Sequence, residues 1–235
     1  MTAPPMPPAK AARRPLLLAW SGGKDAAWTL HALRGRADVE VVALLATVDA
    51  GDGRASMQGV RRELLQAQAV AAGLPLIEAV IAPRSDNARY EAAFADALAR
   101  AKARWPALDT VAFGDLRLPD VRAWRKASCA AMGWRIETPL FGLDTRGLAH
   151  AMIAGGLRAR LCCVDLERLD AGFAGRAFDD RLLADLPPGC DPCGENGEFH
   201  TLVLDGPMFD RALAVREGGP MLRDGRLLYA DFLPA

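Results

Sequence analysis

Five consecutive residues, Ser21-Gly22-Gly23-Lys24-Asp25, concentrate groups that suit phosphate chemistry. Paired glycines let a backbone aim several N–H groups at one point, a nest for an anion, and a helix starting there adds positive potential. Lys24 would extend a point charge towards a phosphate in that nest. The string matches neither G-x-x-x-x-G-K-[ST] nor G-x-G-x-x-G, so it is a phosphate loop of another kind or a tight turn with a solvated lysine. Lysine is uncommon here: 25 of the 29 basic residues are arginine.

A second group lies far downstream. Cys193-Gly194-Glu195-Asn196-Gly197-Glu198-Phe199-His200-Thr201 places Glu195, Glu198 and His200 in a glycine-rich turn entering a strand. Such a cluster suits an ammonium group, or a base that takes a proton from one. The plain alternative is a turn with solvated glutamates and a structural His200. Asp115 and Asp49 each follow an apolar run, where a parallel sheet presents side chains to a ligand, though an aspartate also simply forms turns. Arg117, Arg122 and Arg125 surround the Asp115 loop and suit either an acidic substrate or a solvated helix face. Cys190-x-x-Cys193 is a single pair, and His31, His150 and His200 lack matching spacing, so zinc or redox chemistry is not expected. Cys162-Cys163 is expected in the core.

These residues need a frame, and the pattern of apolar residues supplies one. Arg14–Trp20, Glu40–Thr47, Leu76–Ile81 and Thr110–Gly114 read as buried strands. Helices are predicted near Lys24–Arg34, along Met57, Val60, Leu64, Ala67 and Ala71 with Gly73 as a stop, along Tyr90, Phe94, Leu98, Ala101 and Trp105, and over Asp120–Met132. Four strand–helix alternations imply an α/β fold with a parallel, Rossmann-like sheet and ligands beyond the carboxyl ends of its strands. After about Phe141 the rhythm changes to a smaller α+β region. It has a capped helix over Asp144–Ala154, a strand over Arg160–Val164 and a hairpin turning at Asp224-Gly225. The expected division is a disordered tail over 1–14, a nucleotide-binding domain over 15–140 and a C-terminal substrate domain over 141–235.

Composition narrows the function classes. Among 235 residues the formal net charge is zero, which gives no general field for a nucleic-acid backbone. No apolar run approaches the length of a membrane span. Five cysteines without framework spacing, and an N-terminus without a signal-like apolar core, point to a reduced, cytoplasmic protein.

The Ser21–Asp25 string after a first strand resembles the PP-loop of N-type ATP pyrophosphatases, in the adenine nucleotide alpha-hydrolase superfamily. Cys193–Thr201, followed by Asp205-Gly206-Pro207, resembles the C-terminal signature of the diphthine–ammonia ligase-like family (diphthamide synthetase, ATP-binding domain). Ser56-Met57 and Phe113-Gly114-Asp115 also look like that family, and the resemblance runs from about Pro15 to the C-terminus. It implies cleavage of ATP to AMP and pyrophosphate, with Mg²⁺, to activate a carboxylate for attack by ammonia. On that basis Ser21, Gly22, Gly23, Lys24 and Asp25 would bind nucleotide, and Lys24, Asp115 and Glu195 would be catalytic. Glu195, Glu198 and His200 would meet substrate, and Asp25 and Asp115 would hold Mg²⁺. The expected partners are a small-molecule or protein carboxylate and ammonia, with neither membrane nor nucleic acid, and a homodimer is left open. Many PP-loops carry a hydroxyl residue directly after the aspartate; this chain has Ala26. Two alternatives stand beside the ligase: a non-catalytic ATP or AMP sensor, and a PP-loop tRNA-modifying enzyme.

Overall fold

The computed structural model describes residues 13–56, 58–83 and 85–235. The tail expected over residues 1–14 therefore lies almost entirely outside the described residues, and its last residue, Arg14, already belongs to a strand. Leu16, Leu17 and Leu18 are all fully buried, Leu16 and Leu18 in one apolar layer and Leu17 in the other. That alternation is what a strand covered on both faces requires. This strand, β1 (Arg14–Ala19), runs parallel to β2 (Val39–Asp49) on one side and β4 (Thr110–Ala112) on the other. With β3 (Leu76–Ile81) and β5 (Arg135–Glu137) the order is β3-β2-β1-β4-β5, all parallel. Helices α1 (Lys24–Arg34) and α2 (Arg62–Ala71) cover the Leu16/Leu18 face. Helices α3 (Asn87–Arg104) and α4 (Pro119–Ala131) cover the Leu17 face.

The remainder forms helix α5 (Thr145–Ala154), strand β6 (Arg158–Asp165), a short helix α6 (Asp180–Asp185), and strands β7 (Phe199–Asp205), β8 (Val215–Arg223) and β9 (Leu227–Pro234). The four strands make a separate antiparallel sheet of order β7-β6-β9-β8. Asp224 (φ 52°) and Gly225 (φ 65°) both take the positive φ that a tight primed hairpin turn needs. Leu161, Val164, Phe199 and Val203 of this sheet share one buried cluster with Leu30 of α1. The two sheets are thus joined through a common core.

Three local readings differ from the expectation. The helix predicted from residue 57 begins only at Arg62; Met57 itself lies outside the described residues. Gly59 takes φ +69°, and a Cβ there would lie 2.3 Å from the Tyr229 ring, so no right-handed helix runs through it. Arg54 and Arg61 instead tie this segment to the buried Asp231 at 2.9 and 2.6 Å. The fourth strand stops at Ala112, which frees Phe113, Gly114 and Asp115 for a loop. Strand β5 was not expected: three residues at a sheet edge carry too little periodicity to read.

Candidate active site

A cavity of about 600 Å³ opens at the carboxyl ends of β1, β2 and β4, where the strand order reverses, and the turn before β7 closes its far side. This is the place where an open parallel sheet binds ligands. Ser21, Gly23, Lys24, Asp25 and Ala26 line it from one side, and Cys193, Gly194, Glu195, His200 and Thr201 from the other. The two motifs, far apart in sequence, therefore face one space.

Lys24 joins them. Only 2% exposed, it donates from Nζ to Asp25 Oδ2 at 2.8 Å and to the Cys193 carbonyl. Its ammonium also lies 5.6 and 5.8 Å from the ring centres of Phe199 and Phe178. Burial alone would lower its pKa, but the charge of Asp25 and its neighbours outweighs this and holds Lys24 above the ordinary lysine range. The group is a fixed cation. Gly23 cannot cap α1 with a side chain, and the Lys24 N–H is instead taken by Thr201 Oγ1 at 3.0 Å.

Gln68, fully buried on α2, sets the back of the loop. Its Nε2 donates to Gly22 O at 3.0 Å and to Val203 O at 2.7 Å, while its Oε1 accepts from Trp20 Nε1 at 2.9 Å. The Val203 N–H also donates to Gly22 O, at 3.0 Å. With its carbonyl tied down, Gly22 does not line the cavity, whereas Ser21 and Gly23 do. Gln68→Leu takes the acceptor from the Trp20 indole N–H and a donor from the Val203 carbonyl, at roughly 1–3 kcal/mol for each group left unsatisfied. Gly22 O keeps the Val203 N–H. We expect a melting midpoint lower by several degrees and nucleotide affinity weaker by about tenfold, read by thermal denaturation and a nucleotide titration.

The acidic groups are distributed by role. Asp191, 6% exposed, takes the N–H of Cys193 at 2.8 Å and the Thr145 hydroxyl at 2.8 Å, and pairs with Arg117 at 3.3 Å. Glu198 is equally tied: its carboxylate accepts from the N–H groups of Asp191 and Asn196 and from the Asn196 amide, each at 2.9 Å. Glu195 faces the cavity and accepts one N–H, from Arg117 at 3.1 Å. Burial, followed by the charge of Asp25, pushes its pKa up to about 7. His200 is pushed down to about 4 by burial and by Lys24, so it is neutral at pH 7. Among the described residues, two carboxylate oxygens at the cavity, Asp25 Oδ1 and Asp115 Oδ2, are buried with no hydrogen-bond partner.

Gly114 sets the distance between the Asp115 loop and α1. A Cβ at Gly114 would lie 2.8 Å from the Asp25 carbonyl carbon and 2.9 Å from the Ala26 nitrogen, both backbone atoms that cannot rotate away. Gly114→Ala should push the Asp115 loop from the Asp25 loop, with about 1–3 kcal/mol of lost stability. Nucleotide-dependent turnover should fall about a hundredfold. Wild-type turnover with an unchanged melting midpoint would refute this spacing role.

Family models match both halves of the chain: the diphthamide synthase N-terminal domain over residues 15–136 and the diphthamide synthase C-terminal domain over residues 144–224. The chain belongs to the diphthamide synthase family. A curated relative, the diphthine–ammonia ligase of Schizosaccharomyces pombe, is 27% identical over 213 residues, covering 84% of this chain and 35% of that protein. The chain thus spans about a third of that relative's length.

In this member of the diphthamide synthase family, the cavity brings together Ser21, Gly23, Lys24, Asp25, Asp115, Glu195 and His200. Gly22 and Glu198 stand behind it, and Asp49 accepts the Gly51 N–H at 2.7 Å in a turn away from the lining. Arg125 lines the cavity, while Arg122 donates to Thr138 Oγ1 at 2.9 Å and covers the Phe141 ring. Cys190 and Cys193 are free thiols, each pushed up to about 12 by burial first, so neither is a thiolate at pH 7. Among the described residues, no group of three or more His, Cys, Asp or Glu is arranged to hold a metal by itself. No helix among them is long and apolar enough to cross a membrane. Sequence reasoning missed Gln68, Asp191 and Thr201. Only the position of Thr201 within the second motif offered a signal for any of them.

Proposed function

We propose that the protein is an ATP-dependent, adenylating carbon–nitrogen ligase that releases AMP and pyrophosphate while activating a carboxylate for attack by ammonia. The observation that carries this reading is Lys24, a buried cation that ties the Ser21–Asp25 loop to the loop bearing Glu195 across one cavity. Adenylation needs groups that hold the departing pyrophosphate, amide formation needs one that takes the proton of ammonium, and this pairing supplies both in one cavity.

In the proposed reaction a carboxylate oxygen bonds to the α-phosphorus and the bond to pyrophosphate breaks. Ammonia nitrogen then bonds to the carbonyl carbon and the bond to AMP breaks. The N–H groups around Ser21 and Gly23, with Lys24, hold the departing pyrophosphate. Glu195 takes the proton that ammonium loses before its nitrogen can attack, a task matched by a pKa of about 7. The unpartnered oxygens of Asp25 and Asp115 fit a Mg²⁺ ion held mainly by phosphate oxygens with one or two carboxylates. When bound, that ion neutralises phosphate charge. Ala26 adds no side-chain phosphate contact, leaving backbone groups and Lys24 to make them.

Purified protein incubated with ATP, Mg²⁺ and ammonium, with and without a metabolite extract, tests the reading through AMP and pyrophosphate. Extract-dependent formation of both products is the expected result. ADP and phosphate would overturn the mechanism, and tight ATP binding with no product in any extract would favour a nucleotide sensor.

A further inference from the structure

The cavity has walls of different chemistry on the two sides of the Ser21–Asp25 loop. Towards β2 it presents small polar groups such as Thr47 and Ser56; towards α3 and α4 it is aromatic. The ring centres of Tyr90 and Trp124 are 6.0 Å apart, those of Tyr90 and Phe94 also 6.0 Å, and those of Phe94 and Phe113 6.4 Å. Trp124 is 40% exposed and Leu118 46%, and both line the cavity. The rings leave a crevice of about 10 Å³ between them, room for about one water. Large apolar groups left open in a cavity are surfaces that a ligand covers.

Arg125 stands at the inner end of this wall. Its guanidinium lies 4.5 Å from the Phe113 ring centre and 3.3 Å from Asp115 Oδ1. A well-made charge-assisted hydrogen bond is about 2.7–2.9 Å long, so the contact to Asp115 is loose. Among the described residues Arg125 makes no hydrogen bond, although a guanidinium carries five donors in a fork that fits a carboxylate. One wall therefore offers a flat apolar face ending in a lightly held carboxylate receptor.

We propose that this wall is the acceptor subsite of the ligase reading above, on which the proposal rests. It takes a small carboxylic acid with a flat, apolar body. The carboxylate faces Arg125 and the body lies against Tyr90 and Trp124. Small aliphatic acids meet only half of the site.

Calorimetric titrations of the full chain, with and without α,β-methylene-ATP and Mg²⁺, test the assignment. The probes are benzoate, phenylacetate and imidazole-4-acetate. Benzamide and phenylacetamide serve as uncharged controls, and acetate as the control without a body. At least one flat acid should bind about tenfold more tightly than acetate, and the aromatic acids about tenfold more tightly than their amides. Arg125→Gln should erase the preference for acid over amide, and Trp124→Ala the preference for flat acid over acetate. Both variants should hold the nucleotide analogue within about threefold of wild type. Acetate binding as tightly as every flat acid, or preferences that survive both substitutions, would overturn the subsite. Failure of the wild type to bind the nucleotide analogue would instead count against the ligase reading, while the nucleotide-free titrations still report on the subsite.

Discussion

Replacing Lys24 by methionine is expected to reduce pyrophosphate release by about 10²–10³-fold, the loss typical of removing one preorganised charge from a site where negative charge develops. Methionine is an unbranched apolar side chain of similar length but leaves Asp25 without its cation and the Cys193 carbonyl without its donor. Breaking a buried ion pair in this way destabilises by on the order of 3–5 kcal/mol. Near-UV circular dichroism and a melting curve would therefore accompany the product assay, with Lys24→Arg as the charge-retaining companion. A folded variant that releases pyrophosphate at the wild-type rate would remove Lys24 from the mechanism.

Glu195→Gln is expected to separate activity from stability. As a base, Glu195 works only when ionised, so amide formation by the wild type should rise with pH and level off above about 7, following its raised pKa. Glutamine cannot accept the proton, and the rate should fall by about 10²–10⁴-fold and lose that rising limb. Stability moves the other way. Because burial raises the folded-state pKa above that of the unfolded chain, the folded state binds more protons between about pH 4.5 and 7, and wild-type stability declines as pH rises across that window. Glu195→Gln should flatten this decline and melt higher than wild type at pH 8, since an uncharged amide avoids the penalty of burying a carboxylate. A variant that keeps the rising pH limb would assign it to another group.

The frame was legible because its signals are local. The apolar run around Leu16–Leu18 gives a doubly covered strand, and Ser21–Asp25 follows it immediately, so strand, loop and helix could be placed in order. The second motif was legible as a pattern of residue types, but the division of labour within it was not. By residue type Glu195 and Glu198 look interchangeable, and only the family resemblance singled out Glu195. In the fold one faces the cavity, and the other, expected to meet substrate, satisfies the N–H groups of its own turn. Gln68 and Asp191 sit in unremarkable surroundings, and their roles arise from partners brought in by folding, Gly22 and Val203 for one and Thr145 and Arg117 for the other. The break at Gly59 was hidden for the same reason: the helical spacing of Val60 and Leu64 is real, but the Tyr229 ring that presses on Gly59 comes from the end of the chain.

The contacts at Lys24 also have a consequence in time. Its N–H is received by Thr201, 177 residues later, and its ammonium by the Cys193 carbonyl, 169 residues later. At about 5–20 residues per second, a growing chain carries the glycine loop for roughly 10–35 s before the ribosome adds Thr201. Until then α1 lacks its cap, and until Cys193 is added Lys24 lacks its second acceptor. On the proposed mechanism, a chain truncated before Cys193 lacks both contacts and should release no pyrophosphate from ATP.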